Sequence, residues 1–101
     1  KAMGIEAEIA INDVNDVINI NLYSYRYKLK SLIQKYNIRG GDLLYMDFNG
    51  NGHIDHATMI TGRLKFKELL YTAHTSAAYG RKVSSVFYNH PKCIMKIIVL
   101  I

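Results

Sequence analysis

The sequence contains a single cysteine, Cys93, and therefore cannot form an internal disulfide. It also lacks an uncharged apolar run of about 18 residues, which a membrane-spanning helix requires, so we expect no membrane span. No signal peptide is visible at the start of the chain. Because the chain begins at Lys1 and not at a methionine, we interpret it as a cleaved product or a fragment that has lost an upstream segment.

Acidic residues are few, since 8 Asp and Glu stand against 13 Lys and Arg, and the formal net charge is +5. This balance favours anionic partners such as nucleic acid, acidic glycopolymers or a membrane surface. The basic residues are scattered, however, and their densest run, residues 26–30, is typical of a solvated helix face. Without repeats or linkers, residues 1–101 are expected to form a single domain with a small core.

The apolar pattern predicts an α+β fold, with helices first and an antiparallel sheet after them. A helix capped by Ser24 is expected over residues 24–36, whereas residues 12–16 have turn chemistry. Residues 83–88 are ambiguous. Strands are predicted over residues 5–11, 43–48, 56–61, 67–73 and 93–101. The last of these is rich in isoleucine and is expected to be a buried strand that closes the sheet.

The loop after residues 43–48 carries oxygen ligands at alternate positions. Asp47, Asn49 and Asn51 are followed by a glycine, and Asp55 occupies the ninth place. This spacing matches the start of a calcium-binding loop. The twelfth place holds Thr58 and not a bidentate glutamate, so a tight site is not expected. The loop therefore supports two interpretations, a weak calcium site or an Asx-rich hairpin loop that bonds itself; no other cofactor is indicated.

Two histidines, His56 and His74, fall on consecutive predicted strands. A hairpin centred on Lys65 predicts three facing pairs: Ile60 with Leu70, Thr58 with Thr72, and His56 with His74. Directly opposed residues have Cβ atoms about 4.5–5.5 Å apart, so the two imidazoles would touch. A register slip of one residue would remove this contact.

Adjacent histidines suit the chemistry of a cysteine hydrolase. One imidazole takes the thiol proton and later protonates the leaving group, while a second polar side chain fixes its orientation. The same pair could form half a zinc site, but no further cysteine or histidine stands at ligand spacing, and a structural role is a third interpretation. His53 and His90 are isolated and are expected at the surface.

Several short motifs follow one another between residues 41 and 75. They are Gly41-Asp42 before an apolar strand, the loop Asp47-Phe48-Asn49-Gly50-Asn51-Gly52, then Asp55-His56, and finally His74-Thr75. In this order they resemble the putative amidase domain family, which is related to the NlpC cell-wall hydrolases of papain-like fold. The resemblance implies that residues 1–101 are the C-terminal part of a papain-like amidase domain. The fold it implies is an NlpC-related half-domain, an antiparallel sheet with one or two helices.

The resemblance also implies an activity. His56 would be the catalytic histidine and His74 the residue that orients it, in a bacterial-type cysteine amidase or peptidase. The implied substrates are peptides, including those of peptidoglycan, and the implied location is the cell envelope or the extracellular space.

The family's nucleophile, a cysteine that opens a helix upstream of these strands, has no counterpart in the sequence. Cys93 opens an apolar strand and is expected to be buried and inert. We therefore expect the 101-residue chain to be inactive alone. The missing N-terminal segment of the same domain, or a second copy in a homodimer, would cover the sheet face that the nucleophile helix leaves open.

Two alternatives belong to other functional classes. One is a non-enzymatic module that holds a cation in residues 47–55 and binds a glycopolymer through its basic surface. The other is a small toxin ribonuclease, for which the candidate acid/base and phosphate-binding residues are His56, His74, Tyr79 and Arg81.

Overall fold

The structure, a computed structural model, describes residues 13–73 and 80–101. The elements in these residues are β1 (Val14–Ile20), α1 (Leu22–Tyr36), β2 (Leu43–Asp47), β3 (His56–Leu64), β4 (Glu68–Ala73), β5 (Arg81–Lys82), α2 (Val83–Asn89) and β6 (Ile94–Leu100). The α+β class and the antiparallel sheet are confirmed, and the ambiguous segment at residues 83–88 is helical. Neither of these helices is long and apolar enough to cross a membrane.

The strands form one sheet in the order β1-β6-β2-β3-β4-β5, and every neighbouring pair is antiparallel. The isoleucine-rich strand β6 is buried as predicted, but it lies inside the sheet between β1 and β2. Its residues Met95, Ile97 and Val99 are at most 1% exposed. The face that they occupy is the one on which α1 and α2 pack.

Strand β1 corrects the turn predicted over residues 12–16, because Val14, Asn15 and Asp16 already belong to a strand. Pairing with β6 overrides the turn preference of the Asn and Asp side chains. Ile18 and Ile20 alternate into the core, while Asn19 between them stays exposed. A strand therefore precedes the helix, and the helices do not come first. The strand predicted over residues 5–11 lies outside the described residues.

Helix α1 begins at Leu22, earlier than predicted, because Asn21 and not Ser24 is its N-cap. The Asn21 side chain accepts from the Ser24 N–H at 2.9 Å, and Ser24 Oγ accepts from the Asn21 N–H at 2.8 Å. This capping box satisfies two backbone donors that the first turn leaves unpaired. Asn37, in a left-handed conformation, ends the helix.

The register of β3 and β4 differs from the predicted one. Ile60 pairs with Tyr71 and not with Leu70, and Thr58 pairs with Ala73 and not with Thr72. Two features cause this difference. The hairpin is centred on Phe66 and not on Lys65, since Leu64 pairs with Glu68, which displaces the pairs next to the turn by two positions. The extra residue in β3 between Ile60 and Gly62 then moves the pairs beyond it back by one position. His74 lies outside the described residues, so its predicted contact with His56 stays a prediction.

A polar cluster joins the two helices to β4. The Tyr25 hydroxyl of α1 donates to Glu68 Oε2 at 2.5 Å and accepts from the Leu69 N–H at 2.8 Å. Glu68 also accepts from Ser84 of α2, from its N–H at 2.8 Å and from its hydroxyl at 2.6 Å. Both oxygens of this half-buried carboxylate are occupied, which fixes the position of α2 over the sheet.

The Gly41-Asp42 motif has a structural role at the start of β2. The Asp42 side chain is 1% exposed and accepts from the Arg39 N–H and the Leu100 N–H, each at 3.0 Å. Gly41 adopts a φ of 101°, which favours glycine, and its N–H donates to the carbonyl of Ile60. The motif therefore ties the beginning of β2 to β3 and to the end of β6.

Candidate functional site

The loop between β2 and β3 is held by its own carboxylates. Asp47 Oδ1 accepts from the Asn51 N–H at 3.1 Å, and Asp47 Oδ2 accepts from the Gly52 N–H at 2.8 Å. Asp55 Oδ2 accepts from the Phe48 N–H at 2.9 Å, across the base of the loop. Both carboxylates thus satisfy backbone N–H groups, as expected of an Asx-rich loop that bonds itself.

Two opposing effects set the pKa of Asp47. Burial raises the pKa, because a carboxylate removed from water loses hydration. The backbone N–H groups of residues 49–52 act in the opposite direction, and the net result is a lowered pKa. The carboxylate is therefore ionised at neutral pH, and hydrogen bonds from these peptide N–H groups stabilise its negative charge.

The predicted cation ligands are close in sequence. The hydrogen bonds that the structure gives for the side chains of Asp47, Asn51 and Asp55 are, however, with backbone N–H groups. The Asn51 side chain accepts from the His53 N–H at 3.0 Å, and Asn49 is exposed. Across residues 13–73 and 80–101, no three His, Cys, Asp or Glu side chains group together to hold a metal. Calcium binding by Asp47, Asn49, Asn51 and Asp55 stays a prediction, which a calcium titration of the melting temperature would test.

His56 is the first residue of β3, immediately after this loop. It pairs with Met46 of β2, and the preceding Asp55 N–H donates to the Met46 carbonyl at 2.8 Å. Its half-buried ring lies 6.2 Å from the Phe48 ring, centroid to centroid. The loop and the first pair of the strand therefore fix the backbone of His56, and Phe48 lies beside its ring.

His56 lines a cavity of about 290 Å³ between the sheet and α2. Other polar groups in its wall are supplied by Tyr71 of β4, Arg81 of β5 and Asn89 of α2. The cavity thus combines an imidazole with a cation and with neutral hydrogen-bonding groups. Such a set can move a proton at one atom and hold a polar substrate group at another.

His90 is a further residue of this cavity, and its expected isolation at the surface is wrong. Its ring is half-buried and stacks on Phe48, with centroids 4.4 Å apart and planes 16° apart. Phe48 therefore has two histidine rings as neighbours. Since His90 follows α2 and no motif links it to His56, only the folded chain brings them together. His53 is exposed, as expected.

His74 and Tyr79 lie outside the described residues. Cys93 is fully buried, as predicted. Burial and then the negative charges of Asp47 and Asp55 raise the pKa of its thiol to about 11, against a backbone hydrogen bond that lowers it. At pH 7 only about one thiol in 10⁴ would be ionised at such a pKa. Cys93 is therefore unsuited to be a nucleophile.

Comparison with known proteins gives one match. The family model described as "Putative amidase domain" matches residues 12–98 of the chain. This range includes β1 to β5, both helices, most of β6 and every residue that lines the cavity around His56. The comparisons with curated proteins and with solved structures returned no match.

Proposed function

The chain belongs to the putative amidase domain family, and we propose that it is the histidine-bearing part of a cysteine amidohydrolase in which His56 is the general base. The observation that carries this proposal is the placement of His56. Its half-buried imidazole opens a strand, lines a cavity with polar walls and follows a loop that its own carboxylates hold. A general base needs such a position, partly shielded from solvent and open to a space that a substrate can enter.

The reaction would proceed in two halves. His56 takes the proton of a thiol, and the thiolate attacks the amide carbonyl carbon to form a tetrahedral oxyanion. The oxyanion collapses, the C–N bond breaks, and the His56 imidazolium donates its proton to the leaving amine. Water, deprotonated by His56, then hydrolyses the thioester and regenerates the thiol. His74 is the proposed orienting residue of the imidazole, by the family resemblance.

The thiol would come from outside these 101 residues. Cys93 is the single cysteine of the sequence, and its burial and raised pKa remove it from this role. A nucleophile segment of the same domain, or one from another chain, would have to approach the His56 cavity. This requirement supports the proposal that the 101-residue chain is inactive alone.

The proposed substrates are amides of peptides, and those of the cell wall are the first to test. A cell-wall substrate would place the protein in the cell envelope or outside the cell. The net charge of +5 supports an anionic substrate, because opposite charge raises the rate of encounter.

The test is amide hydrolysis by a form of the domain that contains a thiol-bearing segment, assayed on peptidoglycan-derived peptides. His56→Ala should lower kcat by about 10³-fold or more, the contribution of a general base. His53→Ala is the matched control, because His53 is an exposed histidine of the same loop and should leave kcat within about twofold. Equal rates for the two variants would refute the role of His56. Hydrolysis by the 101-residue chain that is lost in Cys93→Ser would refute an external thiol.

One observation favours a second candidate, a ribonuclease. Arg81 lines the same cavity as His56, so a phosphate-binding cation and an acid/base imidazole share one space. Cleavage of single-stranded RNA by the 101-residue chain, lost in both His56→Ala and Arg81→Gln, would support this candidate over the amidase. Intact RNA after prolonged incubation would exclude it.

A further inference from the structure

A larger cavity, of about 710 Å³, lies between α1 and α2 and is not used by the proposed reaction. Its apolar lining includes Leu22 and Tyr25 from α1 and Phe87 from α2. Tyr88, whose side chain is 85% exposed, stands beside it. A cavity of this volume is within the range of small-ligand sites, and an exposed aromatic ring offers a surface for the body of a ligand.

Two cations, Arg26 and Lys67, line the same cavity. Within residues 13–73 and 80–101 neither is paired with a carboxylate or placed over an aromatic ring. Their neighbours differ in this respect, because Lys28 lies over Tyr23 and Lys30 over Phe66. Arg26 and Lys67 therefore remain available to an external anion.

Among the described residues no acidic side chain lines this cavity, and the carboxylate hydrogen-bonded to its wall is Glu68. Neither α1 nor α2 contains an acidic residue. Glu68, the carboxylate that follows Lys67, has both oxygens occupied by Tyr25 and Ser84. An anionic group in this cavity would thus meet unpaired cations rather than an open carboxylate.

This cavity and the one that contains His56 lie on different sides of α2 and share one wall residue. Ser85 of α2 lines both cavities and is itself exposed. A peptide held at Arg26 and Lys67 can therefore extend past Ser85 towards the imidazole. We call the two cavities, with the exposed Ser85 between them, the groove.

We infer that Arg26 and Lys67 form a specificity subsite that binds an acidic side chain of a peptide substrate, next to the amide that reaches His56. The inference rests on the proposed amidase function, to which it adds a substrate class. A carboxylate can accept from the guanidinium of Arg26 in a bidentate manner and from the ammonium of Lys67 as a point charge. The apolar floor would hold the rest of the peptide.

The test compares two peptides that differ in one charge, acetyl-Ala-Glu-Ala-amide and acetyl-Ala-Gln-Ala-amide. Isothermal titration calorimetry with the 101-residue chain at low salt should show about fivefold tighter binding of the Glu peptide. This ratio should fall to about one in R26Q and in K67Q, and it should shrink as salt is added. A ratio near one in the unmodified chain would overturn the inference.

K35Q is the matched control, because Lys35 lies in the last turn of α1, outside this cavity, and its loss changes the net charge equally. A ratio that falls as much in K35Q would show that total charge, and not a subsite, selects the peptide. Tighter binding of an adenosine hexanucleotide than of the Glu peptide, lost in R26Q, would assign the groove to nucleic acid and overturn the inference.

The binding ratio is measured without hydrolysis, so the two proposals can fail separately. H56A should leave the ratio unchanged while it abolishes hydrolysis in the thiol-containing form. If the ratio is about one and H56A still abolishes hydrolysis, only the subsite is refuted. If the ratio holds and H56A does not lower kcat, the catalytic proposal fails and the acidic subsite stands.

Discussion

The pKa values of Asp47 and of the single thiol, Cys93, are set by the groups in immediate contact with them. Asp47 is surrounded by backbone N–H groups that favour its ionised form, whereas Cys93 lies in a buried position beside negative charge that favours its protonated form. Their pKa values therefore move in opposite directions from the ordinary values. Each shift links protonation to folding and gives a separate test.

The first test concerns acid. Because the pKa of Asp47 is lower in the folded chain, its contribution to stability is present above the unfolded value of about 3.9 and is lost as pH falls through the folded value. Asp47→Asn should lower the urea midpoint at pH 7, and the difference from the unmodified chain should shrink below pH 4. Asp16→Asn, in β1, is the control. Parallel pH curves for the Asp47 variant and the unmodified chain would contradict this role.

The second test concerns alkali. Because the pKa of the Cys93 thiol is about 11 in the folded chain, its contribution is complete below the unfolded value of about 8.5 and is lost as pH rises towards 11. Cys93→Ala should cost about 1 kcal/mol at pH 7, and its stability should depend less on pH between 9 and 11. A thiol reagent should label Cys93 slowly in the folded chain and rapidly in urea. Rapid labelling at pH 7 without urea would show that the thiol is accessible.

Among the helices and strands, the segments with a clear period were predictable from sequence. The apolar spacing of α1 and the isoleucine run of β6 each identified an element, with ends correct to within a few residues. The first strand was not recognised, because its Asn and Asp residues favour turns and only pairing with β6 overrides them. Strand partners of this kind are distant in sequence, and periodicity carries no information about them.

The site was predictable to a smaller extent. The motifs singled out His56 and the loop before it, and the structure places His56 and Phe48 of that loop in the wall of the cavity. The bulge between Ile60 and Gly62 and the stacking of His90 on Phe48 depend on the folded backbone and on a helix far along the chain. No local pattern indicates either of them.

The polar cluster between the helices gives a prediction at the level of elements. Tyr25→Phe keeps the buried ring but removes the hydroxyl that serves Glu68 and the Leu69 N–H. A buried donor left without its partner costs about 1–3 kcal/mol, and we expect a loss of this size in urea denaturation. Tyr27→Phe, at an exposed tyrosine of the same helix, should change stability by less than about 0.5 kcal/mol. Similar losses in both variants would show that the hydrogen bonds of the Tyr25 hydroxyl do not contribute to the stability of the fold.

For the molecule as a whole, an apolar row crosses the sheet on the face away from α1 and α2. The registers place Val17, Ile98, Leu43 and Met59 side by side on four strands. Leu43 is 1% exposed, but Val17 at the end of the row is 52% exposed. Since Ile98 is also buried, it is the Val17 end of the row that offers an apolar contact to a second copy or to another segment of the domain.

Self-association through this row is a prediction that sedimentation equilibrium can test. The apparent mass should rise above 11.5 kDa as the concentration increases through the micromolar range. Val17→Asp would place a charge in the contact and should restore the monomer mass, whereas Asn19→Asp, on the same strand, should not. A constant mass of one chain at all concentrations would rule out the dimer.

The position of β6 inside the sheet has a consequence for how the chain folds. Val14 of β1 pairs with Leu100 of β6, so the sheet joins segments near opposite ends of the described sequence. Closing so long a loop costs conformational entropy before any contact is gained, and chains rich in such contacts fold slowly. Because β6 lies between β1 and β2 in the sheet, the edges of β1 and β2 that pair with β6 stay unpaired during synthesis until β6 has been made. The hairpin of β3 and β4 needs only nearby residues, so it can form first and serve as the template on which the remaining strands assemble.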